Sequence, residues 1–314
     1  MKDTILYGDC RETLCAFLPQ SARVCVTSPP YYGLRDYGGE DSQIGQEQTP
    51  EEYIDQLVNV FKEVKNVLTD DGTCWVNLGD SYYNYRPGRG QGLAKQTVSN
   101  TKQDLPDVCP RRGNKLEGLK EKDLIGIPWM FAFAMRADGW YLRQDIIWNK
   151  PNPMPESVRD RCTKAHEYIF LFSKNKKYFY DNEAIKEPAK DWGTRDRTNG
   201  KYHNEGSGLA PHSGLTKSYS TKNKRSVWSV TKKPYKGAHF AVFPPDLIEP
   251  CILAGSEKGD IVLDPFMGSG TTAMVAKKLG RHYLGCELHE NYGNLIEERV
   301  LPYENRLEKF FEDS

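Results

Sequence analysis

IVLDPFMGSGTT, residues 261–272, reads as an apolar strand that runs into a glycine-rich turn and then into the start of a helix. Asp264 ends the strand, and Pro265 and Phe266 open the turn. Gly268 and Gly270, on either side of Ser269, let the backbone approach a ligand before Thr271 and Thr272 begin the helix. The spacing departs from the GxGxxG of dinucleotide folds, and DPFxGSGTT is far more specific than a lone glycine pair. One helix further on, HYLGCEL at 282–288 puts Glu287 at the end of the next strand, where a carboxylate can accept hydrogen bonds from two ribose hydroxyls.

Upstream of this turn the chain alternates between strand and helix patterns. ILYGDC (5–10), a short helical stretch ending near Leu18 and RVCV from Arg23 read as strand, helix, strand. Residues 51–68 place Tyr53, Leu57, Val60, Phe61, Val64 and Leu68 at helical spacing after Pro50. GTCWVNLGD (72–80) reads as a buried strand, 127–139 as a helix, and 141–150 and 165–175 as further strands. PPDLIEPCILA (244–254) precedes the glycine turn as a helix. This alternation predicts a three-layer α/β fold.

Two blocks interrupt the pattern. Residues 82–122 are polar and glycine-rich, with Arg86, Arg89, Lys95, Lys102, Arg111, Arg112 and Lys115, and are expected to form an insertion or loop, either unstructured or clamping a polyanion. Residues 174–236 hold fifteen Lys or Arg against six Asp or Glu, interleaved with Tyr178, Tyr180, Trp192, Tyr202, Tyr219, Trp228 and Tyr235. Charge runs are usually solvated, but aromatics among cations suit phosphate contact with base or sugar stacking, and Lys222, Lys224 and Arg225 are the candidate nucleic-acid-binding residues. The expected segments are thus 1–81, 82–122, 123–173, 174–236 and 237–314, of which the first, third and last form the core.

Bulk composition narrows the setting. A chain of 314 residues with 38% apolar content builds one large core with room for a small lobe. Lys+Arg and Asp+Glu balance at 43 each, so affinity for a polyanion must come from the distribution of charge. The eight cysteines lack a CxxC pair or metal-type spacing, which argues for free thiols in a reducing compartment and against a zinc site. The N-terminal MKDTILYGDC has no signal-peptide pattern and no run of about 18 apolar residues occurs, so the expectation is a cytoplasmic protein without a membrane partner.

The second anchor is TSPPYYGLRDYG at 27–38. Pro29 and Pro30 stiffen the backbone directly after an apolar strand, leaving carbonyl acceptors and the Ser28 hydroxyl at a rim beside Tyr31. An exocyclic amine delocalises its lone pair into the ring. Acceptors that hold its N–H protons help the nitrogen pyramidalise and act as a nucleophile.

Together the two anchors resemble those of the DNA amino-methyltransferase family, whose catalytic tetrapeptide is Asp/Asn/Ser-Pro-Pro-Tyr/Phe and whose cofactor turn is Phe-x-Gly-x-Gly. Here they read Ser28-Pro29-Pro30-Tyr31 and Phe266-Met267-Gly268-Ser269-Gly270. The tetrapeptide precedes the turn, as in the family's beta group, which puts the target-recognition region between them. The resemblance covers about two thirds of the chain. It implies a Rossmann-like S-adenosylmethionine-dependent methyltransferase fold, a mostly parallel sheet with helices on both faces, plus irregular DNA-recognition insertions.

By the same resemblance the catalytic residues are Ser28, Pro29, Pro30 and Tyr31. The residues expected at S-adenosyl-L-methionine are Asp9, Cys10, Thr27, His239, Phe240, Phe243, Asp264, Pro265, Phe266, Gly268, Ser269, Gly270, Thr271, Thr272 and Glu287. Asp9 is placed near the adenine. The target base in double-stranded DNA would be flipped out, stacked on Tyr31 and held by the Ser28 hydroxyl and the Pro29 carbonyl, with no covalent enzyme intermediate. In the family the Ser form, particularly after Thr27, goes with cytosine N4 and the Asp or Asn form with adenine N6. The chemistry of the tetrapeptide serves both, so N4 is the expectation and N6 the alternative.

Other readings fit less well. A C5-cytosine enzyme needs a Pro-Cys nucleophile, and the one Pro-Cys pair, Pro250-Cys251, sits in the helix before the turn. RNA and protein methyltransferases with an Asn-Pro-Pro-Tyr motif typically carry the turn first. His166 reads as a structural histidine, and Trp148 as either a core residue or a lining of the base pocket. A cognate restriction endonuclease and a monomeric or homodimeric state complete the expected setting.

Overall fold

The computed structural model describes residues 1–33, 43–83, 116, 118–189, 220–232 and 243–303. The local rules are plainest in α2 (Pro50–Val67). Thr49 caps it, its side chain accepting the Glu52 N–H while the Glu52 carboxylate accepts the Thr49 N–H, and Pro50 occupies the first turn, where no backbone donor is needed. Its Tyr53, Leu57, Val60, Phe61 and Val64 form one fully buried stripe, each side chain of this size contributing about 1.5–3 kcal/mol by leaving water.

The remaining elements follow the predicted order: β1 (Thr4–Tyr7), α1 (Cys10–Thr13), β2 (Ala22–Thr27), then after α2 β3 (Leu68–Leu78), α3 (Ile127–Ala137), β4 (Tyr141–Asn149) and β5 (His166–Ser173). Then come β6 (Glu187–Pro188), β7 (Thr221–Lys222), β8 (Val227–Ser229), α4 (Pro245–Gly255), β9 (Ile261–Asp264), α5 (Thr271–Lys278), β10 (His282–Glu287) and α6 (Gly293–Val300).

The main sheet has the order β1-β10-β9-β2-β3-β5-β4-β8. Every pairing is parallel except those of β5, which runs against both β3 and β4. Central strands alternate between two buried faces. Cys25, Cys74, Val76 and Leu263 pack with α2 and α3, while Val24, Val26, Trp75 and Val262 pack with α4, α5 and α6. This is the expected Rossmann-like arrangement, with helices on both faces.

From β9 the chain passes through α5 to β10 on one side, and from β2 through α2 to β3 on the other. The strands β2 and β9 are neighbours, Val24 opposite Val262 and Cys25 opposite Leu263. Their carboxyl ends therefore flank the switch point at which an open α/β sheet receives its ligand. The tetrapeptide follows β2 and the glycine turn follows β9.

One segment departs from its expectation. The 174–236 block contains ordered strands: β6 pairs with β7, and β8 joins the main sheet beside β4, Trp228 lying opposite Trp148. Trp228 is buried between exposed Val227 and Ser229, but three residues are too few for that alternation to register in the sequence. Arg86, Arg89, Lys95, Lys102, Arg111, Arg112 and Lys115 lie outside the described residues, as do Trp192, Tyr202, Tyr219 and Tyr235. Among the described residues no helix is long and apolar enough to cross a membrane.

Candidate active site

Ser28 is half-buried at the tip of β2, and buried Pro29 follows it. The two proline carbonyls differ: that of Pro30 accepts the Tyr53 hydroxyl at 2.7 Å and so turns toward α2, while that of Pro29 has no partner among the described residues. Tyr31 donates its hydroxyl to Glu167 Oε2 at 2.8 Å, and its ring lies across Gly79. A Cβ at Gly79 would stand 2.6 Å from Tyr31 Cε2, so only glycine admits the ring there. Burial, and the Glu167 carboxylate beside it, hold the Tyr31 phenol well above its ordinary pKa.

The structure adds residues that sequence reasoning did not place at this tip. Asn77, buried near the end of β3, has its Oδ1 3.5 Å from Ser28 Oγ and 3.3 Å from the Tyr31 hydroxyl. Its Nδ2 donates to Glu167 Oε2 at 3.3 Å and to the Tyr168 carbonyl at 3.0 Å. Glu167 Oε1 in turn pairs with Lys150 Nζ, which sits 4.3 Å from the centre of the Trp148 ring. The signals available were a polar residue within the apolar run CWVNL and a lysine directly after β4. Trp148 is buried and donates its Nε1–H to the Val230 carbonyl at 2.9 Å, a core position. His166 packs edge-on against Tyr168 with ring centres 5.4 Å apart.

On the other side of the switch point, Asp264 is spent inside the protein. Its Oδ1 accepts the Thr27 hydroxyl at 2.6 Å and the Phe266 N–H at 3.0 Å, and its Oδ2 accepts the Thr272 hydroxyl at 2.6 Å. Burial pushes its carboxyl up to about 6, against the pull of those donors. Thr27, Asp264 and Thr272 thus fasten β2, β9 and α5 to one another. Ser269 also faces inward, its Oγ and carbonyl accepting from Arg299 of α6 at 2.6 and 2.9 Å. Gly270 has φ +77°, and a Cβ there would stand 2.8 Å from Ile296 Cγ2.

Thr27, Asp264, Ser269 and Thr272 thus turn their side chains to groups of the protein itself, and through them shape the turn. Cys10 belongs with them, its thiol buried and pushed up by desolvation. Asp9 caps α1 by accepting the Arg11 N–H at 2.9 Å and pairs with the Arg11 guanidinium. His239 and Phe240 lie outside the described residues.

Gly268 and Glu287, read separately in the sequence, meet directly. The Gly268 N–H donates to Glu287 Oε2 at 2.7 Å and the His289 N–H to Oε1 at 3.0 Å. Burial raises the Glu287 carboxyl to about 7, partly offset by these donors. The Leu288 N–H adds a third, weaker donor, and a carboxylate offers about four acceptor sites, so capacity remains for a ligand. Thr271 Oγ1 is buried at the start of α5 with no hydrogen-bond partner among the described residues, a cost that a bound polar group would relieve. Pro265 is buried, whereas Phe266 and Phe243 are half-buried at opposite core faces.

Comparison with known proteins is decisive at this point. A family model described as DNA methylase, covering the N6 and N4 methyltransferases, matches residues 22–298. The chain belongs to this family. The methylase is 47% identical over 297 residues to the Type II methyltransferase M.SmaI of Serratia marcescens, covering 95% of this chain and 90% of that one. It is 46% identical to M.XycI of Xanthomonas campestris pv. cyanopsidis, covering 95% and 87% of the two chains. Its fold is shared with the cytosine-N4-specific PvuII DNA methyltransferase, at a TM-score of 0.60, 19% identity and coverage of 98% and 93%. The M1.HpyAVI complex with S-adenosylmethionine has the same fold at a TM-score of 0.54 and 17% identity, covering 95% of this chain and 98% of that one.

DNA is therefore the methylase's substrate. Lys222 Nζ and Lys224 Nζ each stand 3.8 Å from a Glu187 oxygen and Arg225 Nε 3.3 Å, so three cations share one carboxylate and an excess of positive charge remains. Arg225 is well exposed, and Lys224 lies 5.0 Å from the centre of the Trp228 ring, on the segment that carries β8.

Proposed function

We propose that this methylase transfers a methyl group from S-adenosyl-L-methionine to the exocyclic N4 amine of cytosine in double-stranded DNA. The observation that carries the reading is the meeting of the two anchors at one switch point: Thr27, the residue before the tetrapeptide, is bonded at 2.6 Å to Asp264, the residue before the glycine turn. An acceptor rim for an amine and a backbone cradle for a cofactor so share one crevice.

The turn suits the cofactor. Glu287 has acceptor capacity for ribose hydroxyls, the buried Thr271 hydroxyl needs a partner, and Gly268 and Phe266 are the half-buried residues of an otherwise buried turn. Asp9, Phe243, His239 and Phe240 are assigned to the flanks of the same site, and Pro265 and Gly270 to its backbone shape. When bound, S-adenosylmethionine supplies a methyl group activated by a sulfonium centre. The chain's own part is positional. The Ser28 hydroxyl and the Pro29 carbonyl accept the two amine N–H groups, drawing electron density toward nitrogen, and the double proline keeps both acceptors in place. Tyr31 offers its ring to a base withdrawn from the duplex.

The serine form of the tetrapeptide, preceded by Thr27, supports cytosine N4 over adenine N6. The segment 174–236 is assigned to target recognition, with Lys222, Lys224 and Arg225 on phosphates. The Type II relatives support a restriction–modification role in a prokaryotic cytoplasm, opposite an endonuclease of the same site. The test is incubation of unmodified duplex DNA with methyl-labelled S-adenosylmethionine, followed by mass spectrometry of the digested nucleosides. N4-methylcytosine is expected. N6-methyladenine would overturn the base assignment, and unlabelled DNA the reaction itself.

A further inference from the structure

We propose that Glu167, anchored by Lys150, is a positioning residue for methyl transfer: acting through Asn77 and Tyr31, it turns the Ser28 hydroxyl into an outward-facing acceptor for the target amine. This rests on the transfer reaction proposed for the site and adds to it the groups that set the polarity of Ser28.

Both Asn77 Nδ2 hydrogens are committed, at 3.3 Å to the Glu167 carboxylate and at 3.0 Å to the Tyr168 carbonyl, neither of which can donate. The amide oxygen is thereby the atom facing Ser28 and Tyr31. Tyr31 has one hydroxyl hydrogen, and Glu167 Oε2 at 2.8 Å is both nearer and more strongly charged than Asn77 Oδ1 at 3.3 Å. With the tyrosine hydrogen taken, the inward acceptors left for the Ser28 hydroxyl are Asn77 Oδ1, 3.5 Å away and at the limit of a bond in the absence of substrate, and the Tyr31 hydroxyl oxygen. Ser28 then points its hydrogen inward and its lone pairs outward. An amine has only N–H groups to offer, so this is the polarity its capture requires.

The ion pair behind the network is hard to explain by stability alone. Lys150 is 6% exposed and Glu167 is part-buried, and a buried pair commonly contributes less than well-packed apolar residues would. Burial draws the Lys150 ammonium below its ordinary pKa, while Glu167 opposes that shift. What the pair does is hold the Glu167 carboxylate with one oxygen on Lys150 and the other on Tyr31 and Asn77. Asn77 comes from β3, Glu167 from β5 and Lys150 from the residue after β4, all at the end of the sheet that carries the tetrapeptide.

The experiment uses Glu167→Gln in the full chain, alone and combined with Ser28→Ala. Lys150 draws the new amide oxygen to itself, so an amide N–H donor faces Tyr31 and Asn77 where they need an acceptor. The Tyr31 hydrogen then falls back on Asn77 Oδ1 while the Tyr31 oxygen takes the new amide N–H, so both inward acceptors of the Ser28 hydrogen are occupied. The expected result is a single-turnover transfer rate lowered on the order of 10- to 100-fold, with affinities for S-adenosylmethionine and DNA changed by less than about twofold, as for one charge-assisted hydrogen bond lost in the transition state. In the Ser28→Ala background the same substitution should cost under about threefold, because its target is already gone. A wild-type rate in Glu167→Gln, or losses that multiply in the double variant, overturns the proposal. Absence of transfer by the unsubstituted chain would instead overturn the reaction. If Glu167→Gln does not fold, Glu167→Asp keeps the charge on Lys150 but withdraws it from Tyr31 and Asn77, and its loss must likewise fail to multiply with that of Ser28→Ala.

Discussion

Replacing Asp264 by asparagine should stabilise the methylase at neutral and alkaline pH and do little in acid. The buried Asp264 carboxyl is raised from 3.8 to about 6. A folded-state pKa above the unfolded one means that the native chain binds more protons between these values, so stability is lost as pH rises through the window and then levels off. About two units at 1.36 kcal/mol each put the cost of the ionised form at roughly 3 kcal/mol above pH 7. An amide avoids that cost and fits the same contacts: its oxygen accepts from Thr27 and the Phe266 N–H, its nitrogen meets Thr272, and the Thr272 hydroxyl turns to the Val26 carbonyl at 3.3 Å. Thermal unfolding followed by circular dichroism from pH 4 to pH 8 measures the difference. The Asp264→Asn variant should melt on the order of 5 °C above the parent at pH 8, with the gap falling below about 1 kcal/mol at pH 4. Glu287 is raised in the same direction, chiefly by burial, and the Asp264 charge adds to its shift, so the asparagine also relieves part of that cost and the gap keeps its sign. A gap that does not change with pH, or a variant less stable at pH 8, would refute the reasoning.

Asp264→Ala removes the acceptor of Thr27 and of the Phe266 N–H, and should cost about 2–6 kcal/mol by denaturant unfolding while weakening S-adenosylmethionine binding through the displaced turn. Gly79→Ala drives a methyl group into the Tyr31 ring and should slow transfer at least about tenfold while leaving cofactor affinity, read by calorimetry, within about twofold. Reversing the charges of Lys222, Lys224 and Arg225 together should lower DNA affinity and flatten its dependence on salt by about one to three in log–log slope, as fluorescence anisotropy would record. An unchanged slope would make Glu187 their whole purpose.

The fold was legible because its central strands and helices carry their patterns locally. The stripe of α2, its Thr49–Glu52 cap and the apolar strand before Gly268 each announce themselves within a dozen residues. The edge strand β8 did not, since Val227–Ser229 becomes a strand only by pairing with β4. The same division holds at the site. Ser28 and Gly268 lie in continuous motifs, whereas Asn77, Lys150 and Glu167 converge only because β3 lies beside β2 and β5 runs backwards between β3 and β4. Family resemblance located Asp264, Ser269 and Thr272 within the turn but carried no information on side-chain direction, and all three face inward.

The central claim is that one crevice divides its work between an acceptor rim after β2 and a cofactor turn after β9. Its most direct test is Ser28→Ala, with S-adenosylmethionine affinity measured by calorimetry and the single-turnover transfer rate measured on the same preparation. The account predicts affinity within about twofold of the parent and a rate lowered on the order of 100-fold, the loss of an interaction made in the transition state. Equal losses in affinity and rate, or a rate left unchanged, would contradict it.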